Sequence, residues 1–130
     1  SWSAGWGMFL SGEAPLVVSY NTSPAYNVEY ENNDQFVTLI FDEGHIAQVE
    51  AAAILKNAKN AEGAKIFMDF LISPEAQAIL PLTQWMYPAN SQVPLPESYK
   101  KAAPLPLKTL IADTEKTEEA IDTVISILGN

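Results

Sequence analysis

The 130-residue sequence has no cysteine, no arginine and a single histidine, His45. Without cysteine there is no disulfide, no thiolate zinc site and no thiol nucleophile among these residues. Seven lysines stand against sixteen acidic residues, for a formal net charge of −9. That balance argues against nucleic acid as a partner, because phosphate binding needs clustered Lys and Arg. No basic residue precedes Lys56, whereas Glu13, Glu29, Glu31, Asp34, Asp42, Glu43 and Glu50 all do. This excess reads either as a solvated acidic surface or as a field favouring a cationic ligand.

Signals for enzymes are correspondingly sparse. A Ser/His/Asp site made only of these residues would have to use His45, and no G-x-S-x-G elbow accompanies it. The stretch "DEGH" offers three metal-ligating side chains, but neighbours in an extended chain point apart, so no metal site is expected. Gly5, Gly7 and Gly12 lack the spacing and preceding strand of a phosphate-binding fingerprint. Long apolar runs are also missing: "AAAIL" and "IFMDFLI" fall far short of the roughly 20 residues of a membrane-spanning helix. The opening "SWSAGWGMFL" has no Met start or basic segment and reads as the interior of a longer protein.

What is present suits one soluble unit with a core, 48% of the residues being hydrophobic. Residues 4–10 read as a short helix closed by Gly12. "PLVVSY", "FVTLIF" and "IAQVEAAAIL" read as three strands. Ser23-Pro24 reads as an N-cap followed by a proline at the first helical position, with helix continuing to Tyr30. Asn60 caps a helix whose Ala64, Phe67, Met68 and Leu71 form one core-facing stripe. Ser73-Pro74 starts another helix, ending near Leu80-Pro81. One helical turn is expected around "ESYKKA". A last helix begins at Asp113 or Thr114, with Ala120, Ile121, Val124, Ile125 and Leu128 as its apolar face and Gly129 as its stop. Strands alternating with helices indicate an α/β layer structure.

The stronger signal is a set of aromatic residues at element ends: Trp2, Tyr20, Tyr26, Trp85 and Tyr87 lie beside Ser, Asn, Thr, Gln and Pro. Indole and phenol rings at the rim of a cleft stack on flat heterocycles and attract cations through their negative faces, at about 0.5–2 kcal/mol per contact. Ordinary packing of amphipathic aromatics is the competing reading. The helix start at Ser23 adds N–H groups that would accept an anionic group on the same ligand.

Four stretches, "SWSAGWGMFLSGEAPLVVSYNTSPAYNVEYE", "FDEGHIAQVEAAAIL", "AKIFMDFLISPEAQAILPLTQWMYPAN" and "VPLPESY", resemble in order and spacing the carboxy-terminal part of the thiamine-binding periplasmic proteins that serve ABC importers. The resemblance runs from Ser1 to about Tyr99. It implies part of a two-lobe, type II periplasmic-binding-protein fold of α/β class. Residues 1–43 would then lie in the carboxy-terminal lobe, 44–82 would cross to the amino-terminal lobe, and 83–130 would return. By position it places ligand contacts at Trp2, Tyr20, Asn21, Thr22, Ser23, Pro24 and Trp85, with Asn21 standing where the family often has a second Thr. It implies capture of thiamine, or its phosphate esters, and delivery to a membrane permease at the periplasmic or extracellular face of the cytoplasmic membrane. No catalysis and no cofactor is expected, thiamine being the transported ligand.

Two alternatives accompany this reading: a thiamine-degrading enzyme of the same fold, and a carrier for ferric ion or another small cation using Tyr20, Tyr26 and Tyr30. The resemblance also implies that an amino-terminal half supplies the opposite wall. The piece alone would then associate with a missing partner chain, or with a second copy as a domain-swapped homodimer.

Overall fold

In a computed structural model, residues 1–129 are described, and they fall into two compact units: residues 1–39 with 52–105, and residues 40–51 with the chain from Pro106 onward. The first unit holds α1 (Trp2–Leu10), α2 (Ser23–Glu31), α3 (Ala61–Leu71), α4 (Pro74–Gln77), α5 (Leu80–Thr83) and α6 (Glu97–Ala102). The second holds β1 (His45–Ile46), β2 (Thr109–Leu110), a 3-10 turn (Thr114–Lys116) and α7 (Thr117–Leu128).

Local chemistry sets the helix boundaries. The Ser1 hydroxyl accepts from the Ala4 amide, so α1 begins two residues earlier than its apolar spacing predicts. Gly12, at φ +80°, turns the chain out of it, a conformation glycine takes without steric cost. Asn60 caps α3 through an acceptor contact with the Gly63 amide, and Ser73 caps α4 in the same way with Ala76. Both match the sequence reading. At α2 the register differs by one: Thr22 is the N-cap, without a side-chain cap bond, and Ser23 is already helical. The Ser23 hydroxyl is engaged elsewhere, 2.7 Å from that of Ser19. Asn32, in the left-handed region at φ 49°, ends α2.

The three expected strands are not borne out as such. Among the described residues the only ladder is the parallel pair His45↔Thr109 and Ile46↔Leu110. Residues 16–20, 36–41 and 47–55 belong to no ladder, with Val18 93% exposed. β-branched composition favours a pleated, half-buried surface, but a strand forms only where a neighbouring chain offers its backbone groups.

The core of the first unit lies between α2 and α6. Ala25 is fully buried, Tyr99 and Ala103 are nearly so, and Trp85, Tyr87, Leu95 and Ala102 pack around them. The stripe expected to bury α3 is only partly covered, since Ala64, Met68 and Leu71 are half-buried while Phe67 is exposed. On α7 Ile121, Val124, Ile125 and Leu128 are all exposed. Both stripes have the predicted period, but that of α3 is covered only in part and the large side chains of α7 stay exposed.

Gly44, at φ +107°, precedes β1, and a Cβ there would meet the Lys108 carbonyl oxygen at 2.7 Å. Gly44→Ala therefore strains the backbone and pushes against the acceptor of the His45 amide, which bonds that oxygen at 3.0 Å. Faster hydrogen exchange at His45 in the variant is the expected result. Unchanged protection would show that this ladder tolerates the clash.

Candidate functional site

The residues singled out in the sequence lie in the first unit in two groups along α2: Trp2 and the 20–24 turn at its start, and Trp85 beside Tyr26 and Tyr30 further along it. Residues 17–20 deliver Tyr20, 63% exposed, to a tight turn in which the Ser23 amide donates to the Tyr20 carbonyl at 3.0 Å. Thr22 and Pro24 are buried, and Asn21 and Ser23 are half-buried. Because Ser23 spends its N–H on Tyr20 and Pro24 has none, two positions at this helix start offer no donor to an anion.

Trp2 joins the turn through hydroxyls. Its indole Nε1 donates to Ser19 Oγ at 3.1 Å, and Ser19 Oγ lies 2.7 Å from Ser23 Oγ. Its ring, half exposed, stacks on Trp6 at 5.5 Å and 11°. Trp6 in turn meets Phe9 and Phe36. Ser19 was not foreseen as part of the site. Its period-2 relation to Asn21 was the available signal, but a serine inside an apolar run reads as an ordinary strand residue.

Asn21 faces the scaffold. Its Nδ2 donates to the Pro104 carbonyl at 2.9 Å and to the Tyr87 hydroxyl at 3.4 Å, while its own carbonyl accepts from Thr38 Oγ1 at 3.1 Å. The Tyr87 hydroxyl donates on to the Ala103 carbonyl at 2.5 Å. Burial pushes the Tyr87 phenol up, with the Asn21 amide acting in the opposite direction. Burial, aided by the neighbouring Tyr87, also raises the Tyr99 phenol well above the usual range. Both phenols are therefore neutral hydrogen-bonding groups at neutral pH.

Trp85 occupies an uncommon backbone position. It follows Gln84, the C-cap of α5, and takes the left-handed conformation at φ 56°, where helices commonly place glycine. Such a conformation costs of order 1–3 kcal/mol for a bulky residue. Opposing that cost, Trp85 lies 5.1 Å from Tyr26 and 5.6 Å from Tyr30 edge-to-face, and 6.0 Å from Tyr99 in a parallel stack. Tyr26 and Tyr30 touch each other at 5.3 Å, and the Tyr30 hydroxyl donates to the Leu82 carbonyl. Tyr26 and Tyr30 thus act as ring neighbours of Trp85. Among the described residues no group of three or more His, Cys, Asp or Glu is placed to hold a metal.

An open depression of about 260 Å³ lies elsewhere in the unit, lined by Asp34, Phe36, Val37, Thr38, Lys100, Lys101, Ala102 and Pro104. None of the sequence-selected residues lines it. Its main electrostatic feature is an exposed ion pair, Lys101 Nζ to Asp34 Oδ2 at 2.8 Å. The Lys101 hydrogen bond, and then its charge, hold the Asp34 carboxyl below its ordinary value.

Residues 1–78 match the family of bacterial extracellular solute-binding proteins. The chain is 44% identical over 100 residues to the thiamine-binding periplasmic protein of Escherichia coli K12, covering 77% of this chain and 30% of that protein. It is 41% identical over 111 residues to the protein of the same name from Brucella abortus, covering 85% and 33%. A solved periplasmic thiamin binding protein superposes with a TM-score of 0.71 at 39% identity, over 96% of this chain and 39% of that one. The chain thus spans about a third of the length of these curated relatives.

Two side-chain ties are open to direct measurement. Ser19→Ala removes the acceptor of the Trp2 indole, so the Trp2 Nε1 proton should exchange faster and its NMR resonance should move, while that of Trp85 stays in place. For Asp34 the depressed carboxyl means that the tie to Lys101 stabilises above the ordinary carboxylate value of 3.8 and is lost as pH falls through the lower folded value. Lys101→Met should raise the Asp34 titration midpoint, read from its side-chain carbonyl NMR shift. An unmoved midpoint would show that the pair has no electrostatic effect.

Proposed function

This chain belongs to the bacterial extracellular solute-binding protein family, and we propose that it forms an aromatic wall of a cleft that captures thiamine, free or as a phosphate ester, and delivers it to the permease of an ABC importer. What supports this reading is that Trp2 is tied through Ser19 to Ser23 at the start of α2 while Trp85 packs on Tyr26 and Tyr30 further along the same helix, in a chain whose relatives are named for thiamine binding. Thiamine combines two flat heterocycles with a fixed positive charge. Indole and phenol faces stabilise such a ligand by stacking and by cation–π attraction, and a chain with a net charge of −9 adds a favourable field.

In this reading Trp2, Tyr20 and Trp85 supply ring surface, while Thr22, Ser23 and Pro24 shape the rim. Asn21 contributes its remaining acceptor capacity, its amide nitrogen being committed to Pro104. Residues 1–43 and 83–130 belong to one lobe and 44–82 reach the other. The opposite wall comes from a preceding half of a longer protein or, for the piece alone, from a second copy by exchange. The cleft opens at the periplasmic or extracellular face of the cytoplasmic membrane. The step is binding and release, with no bond made or broken in thiamine.

Titration of the full-length protein with thiamine should quench tryptophan fluorescence saturably at micromolar ligand. Trp85→Ala should weaken binding about tenfold or more, the equivalent of ~1.4 kcal/mol. Quenching by ferric ion and not by thiamine, or release of free thiazole when a competing nucleophile is present, would overturn the proposal.

A further inference from the structure

We propose that Tyr99 is a positioning residue that sets the orientation of the Trp85 indole, an inference that rests on the reading of Trp85 as part of the ligand wall. The backbone of Trp85 is in the left-handed region at φ 56°, which directs its Cα–Cβ bond but leaves the ring plane to its contacts. Tyr26 and Tyr30 meet that ring at 72° and 74°. Tyr99 instead lies parallel to it, 11° between planes and 6.0 Å between centroids.

Tyr99 grips the same short helix at a second point. Its hydroxyl donates to the carbonyl of Pro81 at 2.7 Å, and Pro81 belongs to the helix α5 that leads into Trp85. One side chain from α6 therefore holds both the start of α5, through a hydrogen bond, and the residue just past its end, through ring stacking. Tyr99 is itself fixed, only 2% exposed and met edge-on by Tyr87 at 5.3 Å and 87°. Its burial keeps it away from any ligand at the rim, so it acts only through Trp85.

The test uses the full-length protein labelled with 5-fluorotryptophan, with the Trp85 resonance assigned from Trp85→Phe. Fluorine NMR reads the ring environment without ligand, and thiamine titration reads affinity. Tyr99→Leu should shift the Trp85 resonance, leave those of Trp2 and Trp6 in place, and weaken thiamine binding about five- to tenfold, the order expected for one lost aromatic contact. Tyr99→Phe keeps the ring and should restore most of both. Val93→Ala, at another buried position, controls for loss of stability alone and should leave the Trp85 resonance and the affinity unchanged.

A Trp85 resonance unmoved by Tyr99→Leu overturns the positioning role. So does a loss of affinity in Val93→Ala equal to that in Tyr99→Leu at matched stability. A resonance that moves while the unaltered protein takes up no thiamine upholds the placement of Trp85 by Tyr99 and overturns only the choice of ligand.

Discussion

The packing of Tyr99 against α2 and α5 is the contact on which the first unit depends. Tyr99 is the largest of its fully buried side chains, and Ala25 opposite it on α2 is completely enclosed. A small residue facing a large ring lets two short helices approach at interior density, which neither would reach with two medium side chains. The phenol must also be satisfied, because an unpaired buried hydroxyl costs of order 1–3 kcal/mol, and the Pro81 carbonyl answers it. The candidate site residues are linked to that contact: the polar turn leads into α2, Trp85 follows α5, and Tyr99 on α6 touches Trp85 and Pro81.

Little else in the chain is buried this well. Large apolar side chains on α3, including Ile66, Phe67 and Phe70, lie open, as do Ile121 to Leu128 on α7. Exposed apolar side chains of this size, when contiguous, are commonly found where other protein packs. Residues 16–20 and 36–41 have strand composition but no ladder, and their backbones bond locally, as where the Tyr20 and Phe41 carbonyls accept from Ser23 and Gly44. The chain spans about a third of the length of the curated relatives it matches.

At Trp85 and Asn21 local rules yield to tertiary contacts. A tryptophan where a helix end commonly places glycine is unfavourable locally, and three tyrosines surround it. Asn21 stands within the polar turn yet directs its amide to the scaffold, tying α2 to the chain leaving α6. Short-range sequence reading cannot distinguish a side chain that faces a ligand from one that pins the turn beside it. The difference lies in a contact 83 residues away.

By itself, the sequence determined whatever rests on local chemistry and pattern. The caps at Asn60 and Ser73, the turn at Gly12, a helical turn around 97–102 and a last helix stopped by Gly129 were legible from neighbours a few positions apart, although that helix begins at Thr117 after a 3-10 turn and not at Asp113 or Thr114, and Tyr26 lies inside α2 and not at an element end. So were the family and the α/β, two-lobe fold class, through motifs in order. Tertiary structure decided what depends on distant partners. It determined which β-rich stretches found a strand, leaving one parallel pair of two residues. It set which apolar stripe was covered, favouring Tyr99 over Phe67. It also tied Ser19 to Trp2 and stacked Tyr99 on Trp85, two contacts among residues the sequence had not singled out as partners. The physical reason is that caps and periods are set by bonds spanning three or four residues. Sheets, cores and ring stacks are set by chain segments that become neighbours only after folding.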